Sequence, residues 1–498
     1  MRKPLYDPQT GIHRAKGWEI ALYAMNNMST NLFGFSFMYV SYFLTGIVGV
    51  AVALAGMLST ALRIWDGITD PFIGFILDRT NGKFGKNRPF ILIGQIIMFA
   101  GTTPIFLLLP NLPQAARLPL YIVFYMIYIM GYTCQCVVTK SGQSCLTNDP
   151  SQRPVFAAFD SIYGIFYYTG LTMFVTSTLV PKHNVLDAAG NLVTSAFSTT
   201  GFFVDMWLIC SITSFIASIC AIIGLWRKDR QEFFGTGDPK PLKLGDYIDT
   251  IKNNRAIQML IVSACSDKLT ITMQTSAVIM VMLFGIVIGD YDKYTAFTGI
   301  TGLLTTAVSM VLILIIARKM GQKQALLTGT WLGIGSSVAI FLMFWLGDPH
   351  NVNFAPINLY TIVFIVLFLL MRAGGGLSSS LVIPMTADCA DYEVYRSGKY
   401  VPGLMGTLFS FVDKVISSFA TTVIGLLLAM IGFVSEQPTQ ATPYSAAIFW
   451  VTMFCFIGAP IIGWVLNVIA MKYYPLNKEK MAEIQERIAE IKAETIKS

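Results

Sequence analysis

Apolar residues in this chain come in long runs separated by short polar stretches, a pattern that predicts fully embedded helices rather than half-buried strands. Twelve runs are long enough to cross about 30 Å of hydrocarbon: 19–48, 50–77, 89–110, 117–146, 155–180, 200–226, 256–287, 295–317, 325–347, 357–387, 401–432 and 444–473. A hydrophilic, basic stretch at 227–255 falls after the sixth run. The expected organisation is an N-terminal six-helix bundle (1–226), a cytoplasmic connector (227–255), a C-terminal six-helix bundle (256–473) and a cytoplasmic amphipathic tail (474–498). The tail carries Met481, Ile484, Ile488 and Ile491 at helical spacing, which predicts a surface helix on the inner leaflet.

Composition agrees with an all-α membrane protein. Charged residues make up 13% of the chain against roughly 25% in soluble domains, and the mean hydropathy is +0.61. The net charge of +7 would suggest a nucleic-acid partner if it were clustered, but its placement follows the membrane instead. Of 35 Lys and Arg, 27 lie in or at the edges of the segments that share a side with the N-terminus. Only Arg117, Lys182 and Lys293 lie on the other side, and five fall within spans. Both termini are therefore expected to be cytoplasmic. The first run is too long and too polar for a cleaved leader, so none is expected. The eight cysteines fall in or beside predicted helices, which argues against a disulfide framework. His13, His183 and His350 all lie in tails or loops, which removes a buried histidine relay.

The chemistry concentrates in the second run. Arg63, Asp66 and Asp70 are spaced i, i+3, i+7 and so share one helix face. Charges facing lipid cost at least about 2.5 kcal/mol each, so that face must look into protein or water. Pro71 has no N–H, which frees the Gly67 carbonyl between the two carboxylates as a further hard-cation ligand. An Arg63–Asp66 pair that merely joins helices is the alternative. Asn26, Asn27, Ser29, Thr30 and Asn31 on the first run either bond neighbouring helices or face a polar solute.

The stretch Trp65-Asp66-Gly67-Ile68-Thr69-Asp70-Pro71, then Gly74, Asp78-Arg79-Thr80 and Gly85-Lys86-Asn87-Arg88-Pro89, forms an ordered series over 25 residues. It resembles the helix 2 and loop 2–3 signature of the glycoside–pentoside–hexuronide:cation symporters, the family of the melibiose/sodium symporter. Leu146-Thr147-Asn148-Asp149-Pro150 with Arg153 resembles its loop 4–5 motif, and Ala387-Asp388-Cys389-Ala390-Asp391-Tyr392 with Tyr395 its helix 10 terminus. The resemblance implies the major facilitator fold, with twelve transmembrane helices in two six-helix bundles around a midplane site. It also implies a non-enzymatic carrier with no cofactor, coupling Na+ or H+ to a sugar, glycoside or uronide, and with no nucleic-acid partner.

By the same resemblance Asp66 and Asp70 form the cation site, tentatively for Na+, and Lys414 on the eleventh run supplies charge coupling. Asn27, Thr30, Asn31, Arg63, Lys140, Asp160 and Ser379 are the expected substrate-facing set. Asp78, Arg79, Lys86 and Arg88 are the expected cytoplasmic gate, faintly echoed by Arg318-Lys319-Met320-Gly321-Gln322-Lys323. Three positions depart from the melibiose symporter. Cys136 stands where it has a third cation-site aspartate, Lys140 where it has an aromatic near the sugar, and Thr30 where it has a sugar-binding aspartate. Lys140 then has three open roles: binding an anionic substrate, replacing the coupling cation's charge, or pairing with Asp160. A lysolipid-like solute and a non-transporting sensor on this fold are alternative readings. A monomer in the cell (inner) membrane is expected.

Overall fold

The computed structural model describes residues 6–7, 12–80, 82, 84–147, 152–188, 192–230, 252–312, 320–354, 356–397, 402–477, 479–481, 483–484 and 486, apart from scattered side chains within helices. Over its described residues, each of the twelve apolar runs coincides with a helix or with successive helices. These are α1 (Gly17–Ser36), α2 (Val52–Arg79), α3 (Arg88–Thr103), α4 (Gln114–Leu146), α5 (Arg153–Phe174), α6 (Thr200–Leu225), α7 (Arg255–Gln274), α8 (Asp292–Leu312), α9 (Gln322–Leu346), α10 (Leu359–Ser397), α11 (Pro402–Met430) and α12 (Ala459–Tyr473). The first run continues beyond α1 through Val40–Tyr42 and the π-helical turn Phe43–Val48. The seventh bends by 49° between α7 and Ala277–Val287, and Ala446–Met453 with the turn Phe454–Gly458 leads into α12.

Two short antiparallel ribbons were not legible as strands. Tyr6–Asp7 pairs with Ile12–His13, and Val185–Leu186 with Leu192–Thr194. Each is too short to show an alternating pattern.

The chain divides into two compact units, Met1–Asp238 with Phe433–Ala441, and Pro239–Gly432 with Thr442–Ser498. In the first, the polar cluster of α1 splits by helix face. Ser29 Oγ lies 2.7 Å from Ser218 Oγ and 2.8 Å from Ser214 Oγ on α6, and 3.1 Å from Gln95 Oε1 on α3. Asn26 Nδ2 donates to the Gln135 carbonyl and to Thr139 Oγ1 on α4 at 3.0 and 2.7 Å. Gln135 Nε2 closes the network on Gln95 Oε1 at 2.9 Å. Ser29, Ser214, Ser218, Gln95, Asn26 and Gln135 are buried, and each makes at least one of these hydrogen bonds, as polar side chains in a bundle core require. The segment Phe433–Ala441 joins this unit because the Val434 carbonyl accepts from Val52 N, an otherwise unsatisfied donor at the start of α2, and the Pro438 carbonyl accepts from Tyr42 Oη. The expected 256–473 bundle is interrupted there.

In the second unit, Asp267 is buried and accepts from Asn467 Nδ2 on α12 at 2.8 Å, while Lys268 beside it is exposed. The two therefore do not pair as neighbours. Gly374, first of the glycine run on α10, lies against the Gly329 backbone of α9, where a Cβ would overlap the Gly329 carbonyl. That run thus serves close helix packing.

The tail corrects the sequence expectation of a helix on the inner leaflet. Tyr474, Leu476 and Ile484 are buried, Ile484 completely, in a cluster with Ala256, Ile257 and Leu260 of α7, Leu326 of α9 and Met385 and Cys389 of α10. Glu483 Oε1 accepts from Tyr395 Oη at 3.0 Å, and Lys480 Nζ sits 5.0 Å from the Tyr395 ring centre. The described part of the apolar stripe, Met481 and Ile484, packs on protein. Ile488 and Ile491 lie outside the described residues.

Candidate functional site

The charged face of α2 turns toward α4. Asp66 is wholly buried, and its Oδ2 accepts from Arg63 Nη1 at 3.2 Å across one helical turn. Its Oδ1 accepts from Thr133 Oγ1 of α4 at 3.4 Å. Thr69 Oγ1 donates to the Asp66 carbonyl at 2.9 Å and lies 3.2 Å from Thr133 Oγ1. The buried carboxylate thus meets one hydroxyl and a guanidinium, and the second hydroxyl, that of Thr69, sits on the Asp66 main chain beside Thr133. Asp70, one turn further on, is half-buried. The helix runs unbroken through Pro71.

Arg63 uses one edge of its guanidinium on Asp66, yet its side chain remains 46% exposed. Its wall is aromatic. Tyr121, Tyr125, Tyr128 and Tyr132 form a ladder down α4 with successive ring centres 5.6, 5.4 and 6.0 Å apart. The last three lie within electrostatic reach of Arg63. Cys136, one turn beyond Tyr132 on α4, lies within electrostatic reach of it. The site thus offers a polar, aromatic-lined surface of the kind that fixes a small polar ligand.

A second polar group lies between α1 and α5. Asn31 Nδ2 donates to the carbonyl and to Oδ1 of Asn27, at 2.8 and 3.1 Å, and Asn27 lies beside the Asp160 carboxylate. All three side chains are half-buried. Nothing lies within 4 Å of a Cβ built on Gly34 of α1 or Gly164 of α5, so this face is open. Thr30 departs from the expectation of a substrate-facing residue. It is 1% exposed, and its hydroxyl is held by the Asn26 carbonyl at 2.9 Å and Gln135 Oε1 at 3.0 Å inside the packed network.

Lys414 belongs to the second unit, half-buried on α11. The side chains of Lys140, Ser379, Asp78 and Arg79 lie outside the described residues. Lys86 and Arg88 are anchored within the first unit by Asp229, which follows α6 and is wholly buried. Thr69, Thr133, the tyrosine ladder and Asp229 are absent from the sequence-derived set. The ladder's spacing of four, three and four residues was a visible helical stripe, whereas Asp229 sits in a segment that reads only as a basic connector.

The chain is similar to known transporters along nearly its whole length. The isoprimeverose transporter of Lactiplantibacillus pentosus is 25% identical, with 98% of this chain and 95% of the relative aligned. The glucuronide carrier protein homolog of Escherichia coli is 22% identical over 93% of each chain. Among solved structures, the nucleoside transporter NupG superposes with a TM-score of 0.60 at 13% identity, covering 92% of this chain and all of that one. The inward-open xylose transporter XylE from E. coli gives 0.59 at 12% identity, covering 95% and 99%. These two structural likenesses show that the chain shares the fold of those transporters. A family model described as MFS/sugar transport protein matches residues 22–478, and the chain belongs to that family.

Proposed function

We propose that this chain is a secondary active symporter that couples Na+ or H+ entry to uptake of a sugar, glycoside or uronide by alternating access. The observation that carries the reading is the buried Asp66 carboxylate, set among Arg63, Thr69 and Thr133 on two facing helices. Burying a carboxylate costs several kcal/mol unless it is compensated, and a bound cation or proton adds compensation beyond the half-exposed Arg63. Asp66, Asp70 and the two threonine hydroxyls are hard oxygen donors suited to Na+. Cation and sugar then favour each other's binding, which is what coupling means thermodynamically. The arrangement of Asn27, Asn31 and Asp160 supplies donors and acceptors for sugar hydroxyls, and the tyrosine ladder supplies ring faces. Lys414 is assigned charge coupling from the family resemblance. The carrier is placed in the cell membrane as a monomer with both termini inside.

An acidic substrate is favoured by one feature. The guanidinium of Arg63 is half-exposed beyond its contact with Asp66 and remains open to a carboxylate or sulfonate.

A thermal-shift screen of purified protein against isoprimeverose, xylosides, glucuronides and sulfosugars, each with and without Na+, tests the reading. A true ligand raises apparent stability by mass action. A Na+-enhanced shift with one sugar class supports Na+ symport, and a pH-dependent shift indifferent to Na+ supports H+. A chain that no sugar stabilises under any ionic condition contradicts the reading.

A further inference from the structure

Outside the site just described, the most densely bonded charge among the described residues is Asp229. Its carboxylate accepts from the backbone N–H groups of Lys86 at 3.1 Å, Asn87 at 3.0 Å and Arg88 at 2.9 Å. It also accepts from Asn87 Nδ2 at 3.0 Å and Arg88 Nε at 3.4 Å. The backbone donors open α3, where the helix end is positive and its first N–H groups need acceptors. Gly85 makes room for this: its φ is +93°, and a Cβ there would overlap the Asp229 carboxylate. Arg88 lies 4.9 Å from the Trp226 ring centre at the end of α6. Asn87 completes the junction on α4, with its Oδ1 accepting from Ser141 Oγ at 2.6 Å and its Nδ2 donating to Cys145 Sγ at 3.2 Å. One aspartate thus joins the ends of α3, α4 and α6 to the turn that leaves α2.

We propose that Asp229 is a positioning residue of the transport cycle, making these four helix ends move as one block. This rests on the reading of the chain as a carrier. Asp66 lies thirteen residues before Arg79 on α2, about 20 Å away along the helix axis, so Asp229 touches neither cation nor sugar. Its effect falls on reorientation. Alternating access is largely rigid-body rocking of a bundle, and a bundle whose ends slide separately dissipates the differential binding energy that drives it. Lys86 and Arg88 accordingly act first within their own unit, as parts of the junction.

The test compares wild type, Asp229→Asn and Gly85→Ala in proteoliposomes, with radiolabelled isoprimeverose and a labelled glucuronide as probes. Vmax is normalised to ligand-binding protein, and backbone hydrogen exchange at residues 86–88 is followed in parallel. Asp229→Asn is expected to speed that exchange at least tenfold and to lower Vmax at least tenfold, with KM and sugar-binding affinity within twofold of wild type. Gly85→Ala, which keeps the carboxylate but displaces it, is expected to do the same. Unchanged exchange, unchanged Vmax, or affinity falling in step with Vmax would overturn the proposal. If wild type itself neither binds nor moves either sugar, the carrier reading fails instead, and the exchange comparison still decides whether Asp229 holds the turn.

Discussion

Arg63 Nη1 lies 3.2 Å from Asp66 Oδ2, joining a half-exposed cation to a wholly buried carboxylate one turn away on the same helix. The pair faces α4, whose Thr133 hydroxyl reaches the other carboxylate oxygen. Removing the arginine takes a positive charge away from a wholly buried carboxylate. Arg63→Gln is therefore expected to raise the carrier's dependence on the cation, read as a steeper Na+ or pH dependence of uptake. Unaltered ion dependence would mean that Arg63 only joins helices.

The two faces of α1 predict opposite phenotypes. Thr30→Ala deletes a buried hydroxyl from the network with Gln135, at a cost of about 1–3 kcal/mol, so it should lower the melting temperature and leave sugar affinity within twofold. Asn31→Ala opens toward Gly34 and the Asn27–Asp160 contact, so it should spare stability and weaken binding several-fold. Thermal unfolding and ligand titration of both variants separate the two roles.

Docking of the tail on the second unit is tested at Ile484. Truncating a fully buried isoleucine to alanine costs about 2–5 kcal/mol, so Ile484→Ala should lower the melting temperature in detergent, where no leaflet is present. A helix lying on lipid would show no such loss.

Stability should also depend on pH through His13. Burial, and then the nearby charge of Lys228, hold its imidazole below the usual histidine value. The folded state therefore binds that proton less readily than the unfolded chain. Stability is present above about pH 6.5, the ordinary histidine value, and is lost as pH falls through it toward the folded value. His13→Gln should flatten the fall in melting temperature between pH 7.5 and 5.5.

The helices were legible because spanning a bilayer demands uninterrupted apolar runs, and the ends of 200–226 and Thr200–Leu225 differ by a single residue. The charged face of α2 was legible because Arg63, Asp66 and Asp70 are costly anywhere but inside. What the sequence hid is tertiary. Nothing in spacing tells which of Asn26 to Asn31 face α4 and α6 and which face α5, so Thr30 was grouped with Asn27 and Asn31. An amphipathic stripe looks the same whether lipid or protein covers it, which is why the tail was misplaced. Asp229 lies between basic residues in a hydrophilic stretch, and only its fold onto residues 86–88, about 140 positions away, reveals its role.

The most direct measurement of the central claim is accumulation of a stabilising sugar in proteoliposomes under an imposed Na+ or H+ gradient, for wild type and Asp66→Asn. Wild type should concentrate the sugar above equilibrium under at least one gradient, and Asp66→Asn should only equilibrate it or fail to move it. Gradient-driven accumulation by Asp66→Asn at the wild-type level would contradict the account.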